Sequence, residues 1–343
     1  MAKVLVTGGA GYIGSVCCRQ LLERGHEVVI LDDLSTGHAE AVPDQAQFYR
    51  FDYGNREAVS RVLREHKIDT VVHFAAKALI PESVTNPGIF FDVNVASGIA
   101  FLETLRTFDV RRFVFSSSAA VYGNPRSVPI DEDDAKDPVN SYGETKWMFE
   151  RVLQWYASAY GWTVVAFRYF NACGATPNAG EDHQPETHII PLLLDAASGD
   201  RPHFDIYGED YDTPDGTCVR DYVHVSDIAI AHILALNVTE AGRMAAYNIG
   251  LGQGYSVREV VRAAEAVAGK RISVRVAPRR VGDPAVLCAN PAKLKGELGW
   301  SPQHSDLTEI VRSAWNWKKR HAGDSAGELP AAAASVQELA RNA

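Results

Sequence analysis

The chain opens on Lys3-Val-Leu-Val-Thr7, a short apolar run that stops at Gly8-Gly9-Ala10-Gly11. After that turn the apolar positions take on helical spacing as far as Arg24, and Gly25 supplies a helix stop. Glu27–Asp32 reads as a second strand, and further apolar runs follow at 47–51, 70–74, 112–116 and Thr163–Tyr169. Helical patterns over about 56–66, 95–108 and 143–160 separate most of them. Near-continuous apolar strands alternating with helices predict a parallel sheet covered on both faces. Right-handed crossovers then make the fold class α/β, a doubly wound (Rossmann) parallel sheet.

The second half is less regular. Residues 172–185 are rich in Gly, Pro and Asn and predict a loop, and 189–197 predict a helix. Ser256-Val-Arg-Glu259 is a capping box for a helix ending near Gly269. Residues 271–276 alternate like a half-buried strand, Asn290-Pro291 starts another helix, and Asp306-Leu-Thr-Glu309 caps the last. This pattern predicts a dinucleotide-binding domain over 1–170 and a smaller mixed α/β C-terminal lobe over 171–321, with some segments returning to the first domain. The Ala-rich residues 322–343 are read as a flexible tail.

Composition narrows the function classes. The chain has 343 residues with 34 Lys and Arg against 43 Asp and Glu, a net charge of −9, which argues against a nucleic-acid partner. No apolar run reaches the roughly 18 residues of a membrane span, and the best candidate, 228–238, is too short and contains His232. A strand beginning at Lys3 leaves no room for a signal peptide. Five cysteines without C-x-x-C spacing fit reduced thiols and a cytoplasmic location.

Gly8-x-x-Gly11-x-x-Gly14 lies between a strand and a helix. Glycines there permit a tight turn and close backbone approach to a pyrophosphate, and a helix N-terminus offers free N–H groups. Asp32 ends the second strand, placed to accept hydrogen bonds from ribose hydroxyls. Its carboxylate and that of Asp33 would repel a 2′-phosphate, so the cofactor expected is NAD rather than NADP. Asp52 and Tyr53 end the third strand, where an adenine would lie.

Tyr142 and Lys146 stand four apart on a predicted helix, hence on one face. An ammonium beside a phenol favours phenolate, and a downward shift of ~3 units is ~4 kcal/mol of differential stabilisation. That would suit Tyr142 to general acid/base work on a hydroxyl. Ser116, Ser117 and Ser118 close a strand at the sheet end where ligands bind, and the residue types alone do not choose among them.

Taken together, Gly8-Gly-Ala-Gly-Tyr-Ile-Gly14, Ser116-Ser-Ser-Ala-Ala-Val-Tyr-Gly123, Tyr142-x-x-x-Lys146, Arg168-Tyr-Phe-Asn171 and Arg220-Asp-Tyr-Val-His-Val225 resemble the extended short-chain dehydrogenase/reductase family. The nearest likeness is to its UDP-glucose 4-epimerase branch, from Lys3 to about His321. The resemblance implies an isomerase with tightly held NAD that interconverts UDP-glucose and UDP-galactose. Hydride would leave sugar C4, the 4-keto sugar would turn over, and hydride would return to its other face. Tyr142 would take the 4-hydroxyl proton with help from Ser118.

The resemblance further implies cofactor contacts at Gly8, Gly11, Tyr12, Ile13, Gly14, Asp32, Asp33, Asp52, Tyr53, Phe74, Ala75, Asn94, Ser116, Tyr142, Lys146 and Tyr169. Substrate contacts would be Ser118, Tyr142, Asn171, His188, Ile189, Arg220, Tyr222, Arg280 and Asp283. Arg220 and Arg280 would clamp the diphosphate and Asp283 a ribose hydroxyl; guanidinium forks match phosphate oxygens. Leu287 takes the position that gates sugar size and predicts a preference for the plain hexose. Where some relatives carry a cofactor-touching Lys, this chain has Ala78, with Lys77 one place earlier. A homodimer built from two paired helices per subunit is also implied.

Other readings compete. One is a 4-epimerase acting on UDP-xylose, UDP-glucuronate or UDP-GlcNAc. Dehydratases and decarboxylases place an acid after the strand-end Ser or Thr, where this chain has Ala119 and Ala120. A non-catalytic NAD-sensing protein would be expected to lose Tyr142 or Lys146. His183 and His188, with Asp182 and Glu186 nearby, are not expected to bind metal.

Overall fold

The structure, a computed structural model, describes residues 1–280 and 282–325. The first half comprises β1 (Lys3–Thr7), α1 (Tyr12–Glu23), β2 (Glu27–Asp32), β3 (Gln47–Arg50), α2 (Arg56–Glu65), β4 (Thr70–His73), α3 (Ile80–Thr85), α4 (Pro87–Phe91), α5 (Gly98–Thr107), β5 (Arg112–Ser118), α6 (Ser141–Tyr160) and β6 (Thr163–Tyr169). Then come β7 (Asn171–Cys173), α7 (Ile189–Ser198), β8 (Phe204–Tyr207), β9 (Val219–His224), α8 (Val225–Ala235), β10 (Arg243–Ile249), β11 (Gly254–Ser256), α9 (Val257–Ala268), β12 (Val274–Ala277), β13 (Val286–Leu287), α10 (Ala292–Leu298) and α11 (Leu307–Ser325). Residues 322–325 therefore end α11, and the remainder of the stretch read as a tail, 326–343, lies outside the described residues.

Seven strands form one sheet in the order β10-β6-β5-β4-β1-β2-β3. Every neighbouring pair is parallel. Strand order reverses between β1 and β4, and the crevice beyond their carboxyl ends is where such sheets bind ligands. Alternate strand residues serve opposite faces. Val4, Val6, Val28 and Ile30 pack with α1 and α8 on one side, while Leu5, Val29 and Leu31 pack with α2, α5 and α6 on the other. Both faces are thereby covered, which is why these strands read as continuous apolar runs.

The smaller lobe has its own core, formed by Ile190, Leu193 and Leu194 of α7, Val260 and Val261 of α9, and Ile310 and Val311 of α11. The capping box on α9 is present, with the Ser256 hydroxyl accepting from Glu259 N–H and the Glu259 carboxylate accepting from Ser256 N–H. Gly269 ends the helix at φ +67°.

Several elements depart from the sequence reading. Arg243–Ile249 is the seventh sheet strand, in register with Thr163–Tyr169. Its two alanines and charged start gave it no strand signal, and only pairing with β6 fixes it. Residues 171–173, at the start of the expected loop, form β7 and pair with β9 at Asn171↔Tyr222. The expected half-buried strand at 271–276 begins later, and Val274 and Val276 are exposed. Pro291 precedes α10 as its cap rather than opening it. One helical run does reach spanning length: Pro87–Thr107, 21 residues joined through a π-helical stretch at Asp92–Ser97, is long and apolar enough to cross a membrane. Phe90, Phe101, Leu102 and Leu105 within it are buried in this protein, as in a core helix.

Candidate active site

A cavity of about 620 Å³ opens at the switch point, floored by the turn after β1 and walled by β4, β5, the start of α6 and the residues after β6. Gly8 sits at φ +72°, and a Cβ there would lie 2.6 Å from Ala75 N. A Cβ on Gly14 would lie 2.1 Å from Gly8 O, so only glycine lets α1 begin this close to β1. Gly11 is the N-cap of α1. The first-turn N–H groups of a helix have no intrahelical acceptor, and here they face the cavity that Gly11, Tyr12, Ile13 and Gly14 line.

Asp32 braces this turn. Its carboxylate accepts Ala10 N–H at 3.0 Å and Leu34 N–H at 2.9 Å, and each oxygen retains lone pairs for a ligand. Burial pushes its carboxyl upward, opposed by those two hydrogen bonds. Asp33, Asp52, Tyr53, Phe74 and Ala75 line the same cavity. A glycine turn, free helix N–H groups and a strand-end acid fit a dinucleotide, with ribose hydroxyls at Asp32.

At the other end, Tyr142, Ser118 and Lys146 converge. Asn140 caps α6 through its side chain, accepting Gly143 N–H at 2.8 Å, which puts Tyr142 in the first turn. Tyr142 and Ser118 line the same cavity, and the Ser118 hydroxyl acts to lower the Tyr142 phenol. Lys146 Nζ donates to Ser116 O at 2.8 Å and lies 5.8 Å from the centre of the Tyr142 ring. Ser118 is therefore the serine that acts on the phenol, while Ser117 donates to Glu150.

The electrostatics differ from the sequence expectation. Burial raises the Tyr142 phenol above its ordinary value, and the nearby Ser118 hydroxyl recovers only part of that. Burial also pulls the Lys146 ammonium down to about 7, with Glu150 opposing. At the phenol, desolvation outweighs the contribution of Ser118.

Behind these residues lies a buried network that single-motif reading missed. Glu150 accepts from Arg168 Nε at 3.0 Å and Nη2 at 2.6 Å, and from Ser117 Oγ at 2.5 Å. Arg168 also donates to Tyr122 Oη at 2.8 Å and Glu132 O at 2.9 Å. The signal was available: positions 142, 146 and 150 continue one helix face.

Not every residue implied by the resemblance meets the cavity. Tyr169, Asn171 and His188 line it. Asn94 stands behind the wall, with Oδ1 accepting Lys77 N–H and Nδ2 donating to Lys77 O and Thr145 Oγ1. It shapes the loop carrying Ala76, Lys77 and Ala78 into the cavity. Ile189, Arg220, Tyr222, Arg280, Asp283 and Leu287 are also outside the lining residues. Tyr222 is 1% exposed in the lobe core. Arg220 Nη2 donates to Asp283 Oδ1 at 2.7 Å, so the two are paired with each other. The Arg280 guanidinium lies over the Tyr207 ring at 4.0 Å. Ile189 opens α7 and packs on the lobe core. Leu287 packs in the small cluster with Phe170, and Phe170 does line the cavity.

The loop at the cavity mouth gathers Glu181, His183, Glu186 and His188. Asp182 is not part of the group; its carbonyl meets His38 Nε2 at 2.8 Å. Burial works to lower His188, and the facing carboxylates outweigh it and push it up to about 10.

A model of the NAD dependent epimerase/dehydratase family matches residues 4–250. A UDP-glucose 4-epimerase of Lacticaseibacillus casei is 48% identical over 321 residues, 93% of this chain and 97% of its own length. The solved UDP-glucose 4-epimerase of Brucella ovis in complex with NAD superposes with a TM-score of 0.89 at 42% identity, covering 92% of this chain and 98% of that one. That of Bifidobacterium longum, in complex with NAD+ and UDP, gives 0.89 at 35% identity, covering 93% and 99%.

Proposed function

This chain belongs to the NAD dependent epimerase/dehydratase family, and we propose that it is a UDP-glucose 4-epimerase, an isomerase interconverting UDP-glucose and UDP-galactose with NAD as its bound cofactor. The observation that carries this reading is the meeting, in one cavity with the glycine turn and Asp32, of a phenol, a serine hydroxyl and a lysine at the carboxyl end of β5.

NAD, when bound, supplies the hydride acceptor and donor and the positive charge that the phenol otherwise lacks. Tyr142 accepts the proton of the sugar 4-hydroxyl, directly or through the Ser118 hydroxyl that shares the cavity with it. The same phenol returns the proton after the 4-keto sugar has turned over. Lys146 stays anchored on Ser116 O and keeps the polar end of the site fixed. Asp32 and Asp33 favour a free ribose over a 2′-phosphate.

Arg220 and Asp283 serve the diphosphate and a ribose hydroxyl by exchanging their mutual ion pair for the ligand, with Arg280 closing from beside Tyr207. Asn171 and His188 line the path between the two ends. Leu287, packed on the same small cluster as Phe170, limits bulk on the sugar. Ala119 and Ala120 follow Ser118 in a short helical turn, so the strand end carries no adjacent acid for dehydration. The chain divides, on this reading, into the cofactor domain of 1–170 and a substrate lobe from 171, with α8 and β10 returning to the first.

We place the protein in the cytoplasm as a homodimer. All five cysteines are buried and free, which suits a reducing compartment. Trp155 and Tyr160 on α6 are 72% and 43% exposed, apolar area that a second copy of α5 and α6 would cover.

The test is direct. Purified protein given UDP-glucose and no added cofactor is expected to form UDP-galactose. Absence of turnover with NAD supplied defeats the proposal, and a dehydrated product would assign the rival chemistry.

A further inference from the structure

The loop between β7 and α7 brings two imidazoles and two carboxylates to one point. One donor atom from each of Glu181, His183, Glu186 and His188 lies within 4.8 Å of all the others. His188 Nδ1 is 2.8 Å from Glu181 Oε1 and 2.9 Å from Glu186 Oε1. His183 Nδ1 is 3.3 Å from Glu181 Oε1 and 3.9 Å from Glu186 Oε2. Both histidines thus present the same ring nitrogen to the same two acids, with ring centres 5.1 Å apart.

Both acid side chains are largely buried, at 7% and 14% exposure. His183 Nδ1, itself buried, lies at ion-pair distance from both acids yet makes no well-aligned hydrogen bond to either.

We infer that Glu181, His183, Glu186 and His188 form a four-coordinate site for a divalent transition-metal ion of the zinc class. The charges balance, and both Nδ1 lone pairs gain an acceptor. Zinc bonds to nitrogen and oxygen of about 2.0–2.2 Å require tetrahedral ligand-to-ligand edges of about 3.4 Å; the His183–Glu181 separation is 3.3 Å, His188 stands somewhat closer to both acids, and one donor atom from each of the four residues lies within 4.8 Å of the others. Four protein ligands leave no open position, so the ion is structural rather than catalytic. Its place gives it a task. Glu181, His183 and His188 line the cavity mouth, and the His183 ring meets Tyr12 of the glycine turn edge-on at 6.3 Å. A metal here would pin the loop of the smaller lobe against the cofactor-binding turn.

The experiment uses the full chain without an affinity tag, stripped with chelator and titrated with Co²⁺. Expected are one tightly bound equivalent with the intense visible absorption of tetrahedral cobalt, its displacement by one equivalent of Zn²⁺, and slower proteolysis of loop 177–187 with metal. His183→Ala and Glu186→Gln, each checked for a native circular dichroism spectrum, are expected to lose the band. A chain that binds no cobalt, or whose band survives both substitutions and so arises from adventitious surface histidines, overturns the inference. Should one variant fail to fold, the other decides. None of these readouts depends on epimerase activity.

Discussion

Arg168 grips Glu150 through two parallel hydrogen bonds, Nε to Oε1 at 3.0 Å and Nη2 to Oε2 at 2.6 Å, with side chains only 3% and 0% exposed. The pair ties β6 to α6, and through Ser117 it ties both to the end of β5. Catalytic side chains on two of these elements are thereby held in one frame.

Breaking that pair is expected to be costly. Glu150→Ala leaves a buried guanidinium unpaired, a loss of about 3–5 kcal/mol. Denaturant melts of the cofactor-free protein measure it. A Glu150→Met/Arg168→Met double variant should recover much of the loss, because it removes both charges together. A double variant as weak as the single one would show that the network matters for its shape rather than its charge.

Tyr142→Phe keeps the ring but removes the phenol on which Ser118 acts. Turnover should fall by about 10²–10⁴, with NAD and UDP binding unchanged by calorimetry. Near-normal kcat would remove Tyr142 as the base.

The depressed Lys146 makes a prediction about pH. Its folded value is about 7 and its unfolded value about 10.4. Below about pH 7 both states hold the proton, and the folded state carries the whole cost of burying the charge. As pH rises from about 7 towards 10, the folded state sheds the proton first, and this group's contribution to stability increases. In thermal melts of cofactor-free protein, the advantage of Lys146→Met over the parent should therefore be largest near pH 6 and shrink towards pH 9. An advantage independent of pH would mean that the lysine stays charged in the fold.

Asp32→Asn should weaken NAD binding and narrow the preference over NADP, measured by competitive titration of the two. Asn keeps one acceptor, so the brace on Ala10 or Leu34 partly survives. An unchanged preference would move the discrimination to Asp33.

Leu287→Ser is expected to loosen the cluster on which Leu287 and Phe170 pack, widen the sugar end, and raise kcat/KM for N-acetylated UDP-hexose relative to UDP-glucose. An unaltered ratio would place the gate elsewhere.

Much of this was legible in the sequence. The parallel strands declared themselves because a sheet covered on both faces needs apolar residues at every position, and β1, β2 and β6 have the bounds that the pattern predicts. The glycine turn, Asp32, Tyr142 and Lys146 were legible for the same kind of reason, since each depends on neighbours within a turn or two of chain. What the linear pattern could not supply is long-range pairing. Arg243–Ile249 becomes a strand only because β6 is there to pair with it. Glu150 becomes the anchor of the site only when β6 delivers Arg168 to it. Ser118 is distinguished from its two neighbours by where α6 points the phenol. Tertiary structure alone decided that burial, and not the lysine, sets the resting state of Tyr142. A protonation state follows from all the low-dielectric surroundings of a group, and those are assembled from residues far apart in the chain.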